Sequence, residues 1–467
     1  MNLLQKAEYK KQKARQEKWQ SRAGSDIGGK AWSLMNAEYA DRAQKQSACQ
    51  EKLAKYFKFI ARYVPYYRER LDERLNSHED VLDYLSRCPI LTKSLLHDHG
   101  KFLVAEHLPK GHKVVGRTSS SGTTGKPSIV LTTQLHRLCF SLLKQREYRW
   151  FGMDPSGTLG VIRLPSHLPT INGKNLEPGQ TIKSSWPSVG HLFKTGAFYG
   201  YSVLSSIDKQ KKWLEAIDPN YLLAYAESLE HLAFHYGKES YQGKLRSLQS
   251  ISETLTLDMK NRISRVFLAP IYQNYGLNEL GLVATKCPEG GRYHVHDEFF
   301  HVEIINERGE RCRPGDSGKV LVTGMVNLAM PLLRYDTDDI AMATDQNCPC
   351  GRTSFCFGEV LGRYSRIALL PEGTLGTVGV LRDALASCPG DIGNDILKFQ
   401  IHQKSEKEFH LRLKLRLGQL DKLNYYFQAA WSRSPSSQGK VLFVVRVEDL
   451  IAGENGKFQD FTSVFQP

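Results

Sequence analysis

The chain has 467 residues, of which 41% are hydrophobic and 24% are charged, and its formal net charge is +14. At roughly 100–200 residues per domain this length suggests two to four domains, or one large domain with an appendage, and the composition excludes a disordered or collagen-like chain. The positive charge favours anionic partners such as nucleotides, CoA, an acidic carrier protein or nucleic acid, without choosing among them. No apolar stretch approaches the roughly 20 residues that a membrane-spanning helix needs.

Residues 1–47 are predicted to form a basic helical N-terminal extension. Apolar positions such as Leu3, Leu4 and Trp19 are too sparse for the apolar stripe of a membrane-surface helix, which favours a solvated helix. The segment lacks the apolar core of a signal peptide. Nine cysteines, an odd number, do not suggest a secreted disulfide framework. The expected location is therefore cytoplasmic.

An α/β architecture is predicted for residues 48–362. Apolar residues recur at three- and four-residue intervals from Ala48 to Arg87, which indicates packed helices. Short β-rich runs (SIVLTT, TLGVIRL, FHVEII, GKVLVTG) then alternate with helical stretches at Gln134–Trp150 and Asp208–Ile217. Such alternation is typical of layered α/β domains.

The pattern of apolar and polar residues changes in the last 105 residues, 363–467, and predicts a small α+β domain. The expected elements are a helix at Gly379–Ala386, strands KFQIHQ and FHLRLKLRL, a helix at Asp421–Trp431 and a strand KVLFVVRVEDL. This domain follows a short hinge.

The segment Thr118–Pro127 has the composition of a phosphate cradle. Glycine lets the backbone approach, amides and hydroxyls donate hydrogen bonds, and Lys126 supplies positive charge. It is not a Walker A loop, because Ser120 and Pro127 stand where that motif needs Gly and Ser or Thr. Taken alone, the segment is also compatible with a flexible Ser/Gly turn.

This segment resembles the phosphate-binding motif of the adenylate-forming superfamily, which contains acyl-CoA synthetases and the adenylation domains of peptide synthetases. Further family-like motifs follow in order: Tyr275–Glu279 (Tyr-Gly-x-Ser/Thr-Glu), Arg334–Asp339 (Arg-Tyr-x-Thr-x-Asp), Gly362-Arg363 at the hinge, and Gly456-Lys457. Three segments are similar in sequence to the phenylacetate–CoA ligase and CapK-like branch of this superfamily: KCPEGGRYHVHDEFFHVEII, GKVLVTGMVNLAMPLLRYDTDD and CPCGR. The resemblance covers about Gln50 to Gln459.

The resemblance implies a large adenylate-forming domain that binds ATP and acid, followed by a small mobile lid domain. It implies ATP-dependent activation of a small carboxylic acid as an acyl-adenylate, release of pyrophosphate, and transfer to a thiol of CoA or a carrier protein. Transfer of the acyl group or AMP to an amine or hydroxyl is the alternative, and a non-catalytic nucleotide-binding protein is a third hypothesis. Neither nucleic acid nor a membrane is expected as a partner.

Site residues follow from the same resemblance. The β- and γ-phosphates would be wrapped by Ser120, Ser121, Gly122, Thr123, Thr124, Gly125 and Lys126. Tyr275 and Gly276 would lie at the adenine, and Glu279 would hold Mg²⁺, since hard cations prefer carboxylate oxygen. Asn278 replaces the family's hydroxyl residue but can still donate to the α-phosphate.

The remaining assignments concern the ribose and the lid. Asp339 would accept hydrogen bonds from both ribose hydroxyls, with Asp336 and Asp338 as solvated neighbours that leave the assignment open. Arg363 would contact ribose or phosphate. Lys457 would reach the α-phosphate and the attacking carboxylate. A lysine so near the end of the sequence could be a surface residue, but the preceding Gly456 and the place of the motif in the family order favour the catalytic role. Tyr364-Ser365-Arg366 replace the acidic residue that usually follows Gly-Arg, which puts the second half-reaction in more doubt than the first.

Four further residues suggest structural zinc. Cys287 and His294 form a Cys-x6-His pair, and Cys348 and Cys350 form a Cys-x-Cys pair, so together they offer four ligands suited to tetrahedral Zn²⁺. Unliganded buried cysteines remain the alternative. His296 is an alternative fourth ligand, and Cys356 is a less favoured one.

The identity of the acid cannot be read from the sequence. Candidates for the lining of its pocket are His191, Phe193, Phe198, Tyr199, Tyr225 and Ala226.

Overall fold

A computed structural model describes residues 3–71, 81–119, 128–252, 255, 257–306, 308–363, 377, 380–381, 384–385, 388–393, 395–434, 437–448, 450 and 461–465. The chain divides into two compact units, and the boundary lies between Gly362 and Arg363. The N-terminal 47 residues belong to the first unit.

Among the described residues of the first unit, helices precede Val114, strands and helices alternate from there to Phe267, and strands follow. Its helices are α1 (Leu3–Gln20), α2 (Ser25–Ala37), α3 (Arg42–Tyr63), α4 (Pro65–Arg68), α5 (Val81–Arg87), α6 (Lys93–His99), α7 (Gln134–Trp150), α8 (Ile207–Ile217), α9 (Ala226–Tyr236) and α10 (Leu257–Phe267). Its strands are β1 (Val114–Ser119), β2 (Ile129–Thr133), β3 (Leu159–Arg163), β4 (Thr181–Ser185), β5 (Ala197–Ser202), β6 (Tyr221–Tyr225), β7 (Ser247–Ile251), β8 (Ile271–Leu277), β9 (Gly281–Lys286), β10 (Tyr293–Val295), β11 (Phe300–Ile305), β12 (Ser317–Gly324), β13 (Tyr335–Ala343) and β14 (Cys356–Arg363).

Twelve of these strands form one mixed sheet in the order β11-β12-β13-β14-β10-β9-β8-β7-β6-β3-β5-β4. Strands β5, β3, β6, β7 and β8 run parallel to one another, and β4 pairs antiparallel with β5 at the edge. From β8 to β10 the pairing is antiparallel, and so is the pairing of β10 with β14 and that of β11 through β13. Strands β1 and β2 pair separately as an antiparallel hairpin. This arrangement confirms the predicted α/β class.

The parallel strands are apolar on both faces, as expected when helices cover both sides. On one face, Val161 and Leu223 pack with Trp150 of α7. On the other face, Ile162 and Leu222 pack against helices α8, α9 and α10. A third core joins helices α3 to α6 to the antiparallel strands.

Helix α7 matches its predicted bounds but is buried in a way its sequence does not reveal. The side chain of Thr133 caps its first turn by accepting a hydrogen bond from the His136 amide at 3.2 Å. Charged side chains along α7, including Arg146 and Arg149, are almost fully buried. They are paired: Arg146 bonds Glu298 at 2.9 Å, and Arg149 bonds Gln12 of α1 at 2.9 Å.

The expectation of a solvated N-terminal helix needs correction. Trp19 of α1 has no exposed surface and packs against Tyr148, Trp186 and Phe193. Buried glutamines, rather than an apolar stripe, line much of the contact face of α1, which is why the apolar pattern looked too sparse for packing.

The second unit is a four-stranded sheet with a helix against it. Its described elements are β15 (Ile396–Gln403), β16 (Glu408–Leu415), β17 (Val441–Arg446), β18 (Phe461–Ser463), the short α11 (Gly390–Gly393) and α12 (Leu420–Ser432). The strand order is β17-β16-β15-β18. Leu411 and Leu413 of β16 pack against Leu423 and Phe427 of α12.

These elements agree closely with the strands and the second helix predicted beyond residue 397. Half of the residues in the helix predicted at Gly379–Ala386 are described (380, 381, 384 and 385), and these four are helical. Within the described part of the chain, no helix is long and apolar enough to cross a membrane.

Candidate nucleotide site and metal centre

Two of the sequence motifs are joined by a pair of reciprocal hydrogen bonds. The hydroxyl of Tyr275, in β8, donates to Oδ2 of Asp339, in β13, at 2.9 Å. The hydroxyl of Tyr335, the first residue of β13, donates to Oε1 of Glu279 at 2.8 Å. Strands β8 and β13 are not neighbours in the sheet. Each motif therefore supplies a tyrosine that holds a carboxylate of the other.

These bonds are shielded from water. Tyr275 and Glu279 are 7% and 6% exposed, and Tyr335 is fully buried. Burial, followed by the charge of Asp339, raises the pKa of Tyr275 well above its usual value, so its hydroxyl keeps the proton that it donates. The ring of Tyr275 meets the edge of Phe357 with centroids 5.7 Å apart.

Asn278 links the same motif to the predicted phosphate segment. Its side-chain amide donates to the carbonyl oxygen of Ser119 at 3.3 Å, and Ser119 is the last residue of β1. Gly276 is needed for close packing, because a Cβ there would lie 3.0 Å from the carbonyl oxygen of Gly281. Ser119 directly precedes Ser120, the first of the residues expected to bind the ATP phosphates.

The three carboxylates of the second motif have different surroundings. Asp339 is the one that reaches Tyr275. Asp336 and Asp338 are half-buried rather than simply solvated: Asp336 lies 3.7 Å from the Lys319 ammonium, and Asp338 lies 4.0 Å from that of Lys93.

Arg334, the first residue of the Arg334–Asp339 motif, anchors this motif in the fold. Its guanidinium bonds Glu303 at 3.1 and 3.2 Å and donates to the carbonyl oxygens of Ser86 and Cys88, both at 2.7 Å. All of these contacts are buried or partly buried. Glu303 lies in the middle of an otherwise apolar strand, and such an isolated acid was the available signal for a buried partner.

The four predicted zinc ligands come together. The ligand atoms of Cys287, His294, Cys348 and Cys350 all lie within 4.8 Å of one another, and all four residues are buried. Sγ of Cys287 is 3.8 Å from Sγ of Cys348, and Sγ of Cys350 is 3.4 Å from Nε2 of His294. Hydrogen bonds from the other two thiols lower the pKa of Cys350.

Surrounding groups orient this cluster. Nδ1 of His294 is 3.1 Å from Oγ of Ser354, which leaves Nε2 directed at the sulfurs. Arg352, fully buried, points its guanidinium at Sγ of Cys287 at 3.7 Å and covers the ring of Trp150 at 4.0 Å.

The two alternative ligands lie outside this cluster. Both ring nitrogens of His296 have other partners, Arg146 at 3.1 Å and Thr285 at 3.2 Å. The thiol of Cys356 instead approaches Thr344 at 3.8 Å. The side chain of His296, which follows β10, and that of Cys356, the first residue of β14, are thus directed at other neighbours.

Several predicted site residues lie outside the described residues: Ser120, Ser121, Gly122, Thr123, Thr124, Gly125, Lys126 and Lys457. Arg363 ends β14, but its side chain is outside the described part of the structure.

Comparison with known proteins finds sequence similarity to phenylacetate–CoA ligases and structural similarity to a further CoA ligase. It is 25% identical over 350 residues to a phenylacetate–CoA ligase of Thermus thermophilus, covering 71% of this chain and 73% of that protein. It is 26% identical over 322 residues to the phenylacetate–CoA ligase of Escherichia coli, covering 65% and 68%. The solved structure of 2-hydroxyisobutyryl-CoA ligase in complex with 2-HIB-AMP matches with a TM-score of 0.69 at 17% identity, over 91% of this chain and 90% of that one. No family model matches the chain.

The chain is thus similar in sequence to phenylacetate–CoA ligases over about two thirds of its length. Its fold is that of the two-domain adenylate-forming ligases.

Within this adenylate-forming fold, the residues suggested for the acid pocket do not share one face of the sheet. Phe198 and Tyr225 pack on the α7 side. Tyr199 packs with the helices on the opposite side, because neighbouring residues of a strand point to opposite faces. Tyr199 therefore cannot line the same pocket as Tyr225.

Proposed function

We propose that this chain is an ATP-dependent acid–CoA ligase. A carboxylate oxygen of the acid attacks the α-phosphorus of ATP, the bond from that phosphorus to the bridging oxygen breaks, and pyrophosphate leaves. The thiol sulfur of CoA then attacks the acyl carbon, and AMP departs with the electron pair of the broken bond.

The reciprocal Tyr–carboxylate bonds are the observation that supports this function most strongly. They fix Asp339 and Glu279 as oriented acceptors, and preorganised polar groups stabilise developing charge better than mobile ones. A carboxylate has about four acceptor sites, so Asp339 can receive Tyr275 and still accept ribose hydroxyls. Tyr275 and Gly276 would border the adenine.

The other residues have roles that follow from their chemistry. Ser120 to Lys126 would bind the β- and γ-phosphates, and Asn278, anchored to Ser119, would donate to the α-phosphate. Glu279 offers the carboxylate oxygen that Mg²⁺ prefers, and the cation would neutralise phosphate charge. Arg363 would contact ribose or phosphate. Lys457 would neutralise charge at the α-phosphate as the acid attacks.

An exchange assay tests the proposal directly. With Mg²⁺, ATP and a panel of carboxylic acids, radioactive pyrophosphate should enter ATP only when an accepted acid is present. Adding CoA should then yield an acyl-CoA that mass spectrometry detects. Exchange without any thioester, but with an amide or ester when amines or hydroxyl compounds are supplied, would support the alternative acceptor. No acid-dependent exchange with any acid would contradict the proposed function.

We also propose that Cys287, His294, Cys348 and Cys350 hold a structural Zn²⁺. For bond lengths of about 2.3 Å to sulfur and 2.0 Å to nitrogen, a tetrahedron has S···S edges near 3.8 Å and S···N edges near 3.5 Å. The contacts of 3.8 Å and 3.4 Å fit those edges. Four protein ligands leave no open position, so the ion would stabilise the fold and take no part in catalysis.

A further inference from the structure

A polar cluster lies where the parallel strands end on the α7 side of the sheet. Arg163 ends β3, Tyr225 ends β6 and Ile251 ends β7, and the registers place these three positions side by side. Asn274 of β8 comes immediately before Tyr275 of the proposed nucleotide site. Ligands of open α/β sheets bind at the carboxyl ends of the parallel strands. This edge is therefore the place for the acid whose carboxylate meets the α-phosphate.

The centre of this cluster is the carboxylate of Glu147, which is fully buried on α7. Its Oε1 accepts hydrogen bonds from the side-chain amides of Asn274, at 2.6 Å, and of Gln249. Its Oε2 pairs with the ammonium of Lys144, itself 6% exposed. Glu147 and Lys144 neutralise each other, so this part of the cluster carries no net charge.

Two polar groups at the cluster are left unsatisfied. The amide oxygen of Gln249, a residue 4% exposed, is buried without a hydrogen-bond partner. Nε of Arg163 is also buried without one, and among the described residues no carboxylate pairs with this guanidinium. An unsatisfied buried polar atom costs on the order of 1–3 kcal/mol, so such atoms call for a partner.

Tyr225, the last residue of β6, extends the cluster toward the segment that follows β3. The hydroxyl of Tyr225 lies 3.3 Å from Nδ1 of His167 and accepts from the backbone amide of Leu164 at 3.3 Å. An apolar acid would leave Arg163 and Gln249 unsatisfied, whereas an oxygen acceptor and a hydroxyl donor on the substrate would satisfy them.

We propose that the acid carries a hydroxyl group remote from its reacting carboxylate, and that Arg163 and Gln249 select it. A hydroxyl suits both atoms because it accepts from the guanidinium and donates to the amide oxygen. A second carboxylate suits the site less well, because it has no proton to donate to the amide oxygen of Gln249 and would leave that atom unsatisfied. This inference rests on the proposed ligase function.

Pairs of acids of similar size, with and without a hydroxyl group, test this inference. Pyrophosphate exchange is measured with the three monohydroxyphenylacetic acids and with the three methylphenylacetic acids, which have similar size but no hydrogen-bonding group. We expect at least one hydroxyl isomer to exceed its methyl counterpart by tenfold or more in kcat/KM, because sites built to hydrogen-bond a hydroxyl reject analogues that lack it. Equal or better exchange with every methyl isomer would overturn the inference while leaving the ligase function intact. No exchange with any acid, including a wider panel, would instead contradict the ligase function.

Two variants test whether Arg163 and Gln249 are the residues that select the hydroxyl group. Arg163→Met and Gln249→Leu should each lower the hydroxyl-to-methyl ratio of kcat/KM by roughly tenfold, mainly through a higher KM for the hydroxyl acid. Arg308→Met, at an exposed position on the β11–β12 connection, serves as the matched control and should keep the wild-type ratio. If Gln249→Leu misfolds, Arg163→Met alone decides, because Arg163 makes no bond to Glu147. An unchanged ratio in a folded Arg163→Met protein would remove Arg163 from the selection.

Discussion

The hydroxyl of Tyr335 donates a 2.8 Å hydrogen bond to the carboxylate of Glu279, although 56 residues separate them. Both side chains are buried, and Glu279 is the residue proposed to hold Mg²⁺. Because the bond holds one carboxylate oxygen in place, it restricts the side-chain rotamers of Glu279 and so fixes the direction of the second oxygen. Tyr335 is thus a positioning residue for the proposed cation ligand.

Replacing this hydroxyl should weaken metal use. Tyr335→Phe leaves the buried Glu279 one donor short, which costs about 1–3 kcal/mol of stability. We expect the Mg²⁺ concentration for half-maximal pyrophosphate exchange to rise roughly threefold or more. Tyr293→Phe is the control, since Tyr293 is also buried and its ring stacks on Phe357. Equal Mg²⁺ curves for both variants would show that Tyr335 does not position Glu279.

Lys457 provides a test of the adenylation step itself. Lys457→Ala should reduce pyrophosphate exchange by on the order of 10²-fold, the scale expected for loss of one group that stabilises transition-state charge. Lys422→Ala, on the exposed side of α12, should exchange like the wild type. Undiminished exchange in Lys457→Ala would exclude it from the mechanism.

The cysteine cluster predicts a measurable metal content. Purified protein should contain about one zinc per chain by elemental mass spectrometry, and a strong chelator should lower its Tm. Cys350→Ser should lose most of the metal, because it removes one of four ligands. Cys139→Ser is the control, because Cys139 is also buried but lies on α7, outside the four-residue cluster. Equal metal contents in both variants would contradict the assignment.

Helix α1 should contribute to the stability of the first unit. Trp19→Ala would leave a cavity among Tyr148, Trp186 and Phe193, and we expect a loss of about 3–5 kcal/mol in the free energy of unfolding. Leu4→Ala on the same helix, 75% exposed, should change it by less than about 0.5 kcal/mol. A similar small effect of both changes, measured by denaturant unfolding, would mean that α1 is only loosely attached.

The pKa of Tyr275 gives a prediction at alkaline pH. Its pKa lies well above 10.0 in the folded protein because of burial and of Asp339, whereas unfolding returns it to about 10. Stability contributed by this group is complete below pH 10 and is lost as pH rises toward the folded pKa. Tyr275→Phe should therefore reduce the decline in the free energy of unfolding between pH 9 and pH 11. An identical decline in the variant and the wild type would show that Tyr275 ionises normally.

Local patterns were enough to predict many elements. Helix α7 and strand β11 have their predicted bounds because periodicity and capping act over a few neighbouring residues. The grouping of Cys287, His294, Cys348 and Cys350 could also be predicted, because three thiols and an imidazole at those spacings are typical of a tetrahedral metal site. The burial of α7 could not, because its charged residues resemble those of a surface helix until their partners are known.

The amino-acid sequence by itself determined the order of the motifs, the α/β class and the four residues that group as candidate metal ligands. Only the tertiary structure decided that Tyr275 and Tyr335 exchange hydrogen bonds with Asp339 and Glu279, and that Arg163 and Gln249 retain unsatisfied atoms near Glu147. These relationships depend on which strands become neighbours and which faces meet. Such contacts join residues far apart in the chain, where spacing carries no information about distance.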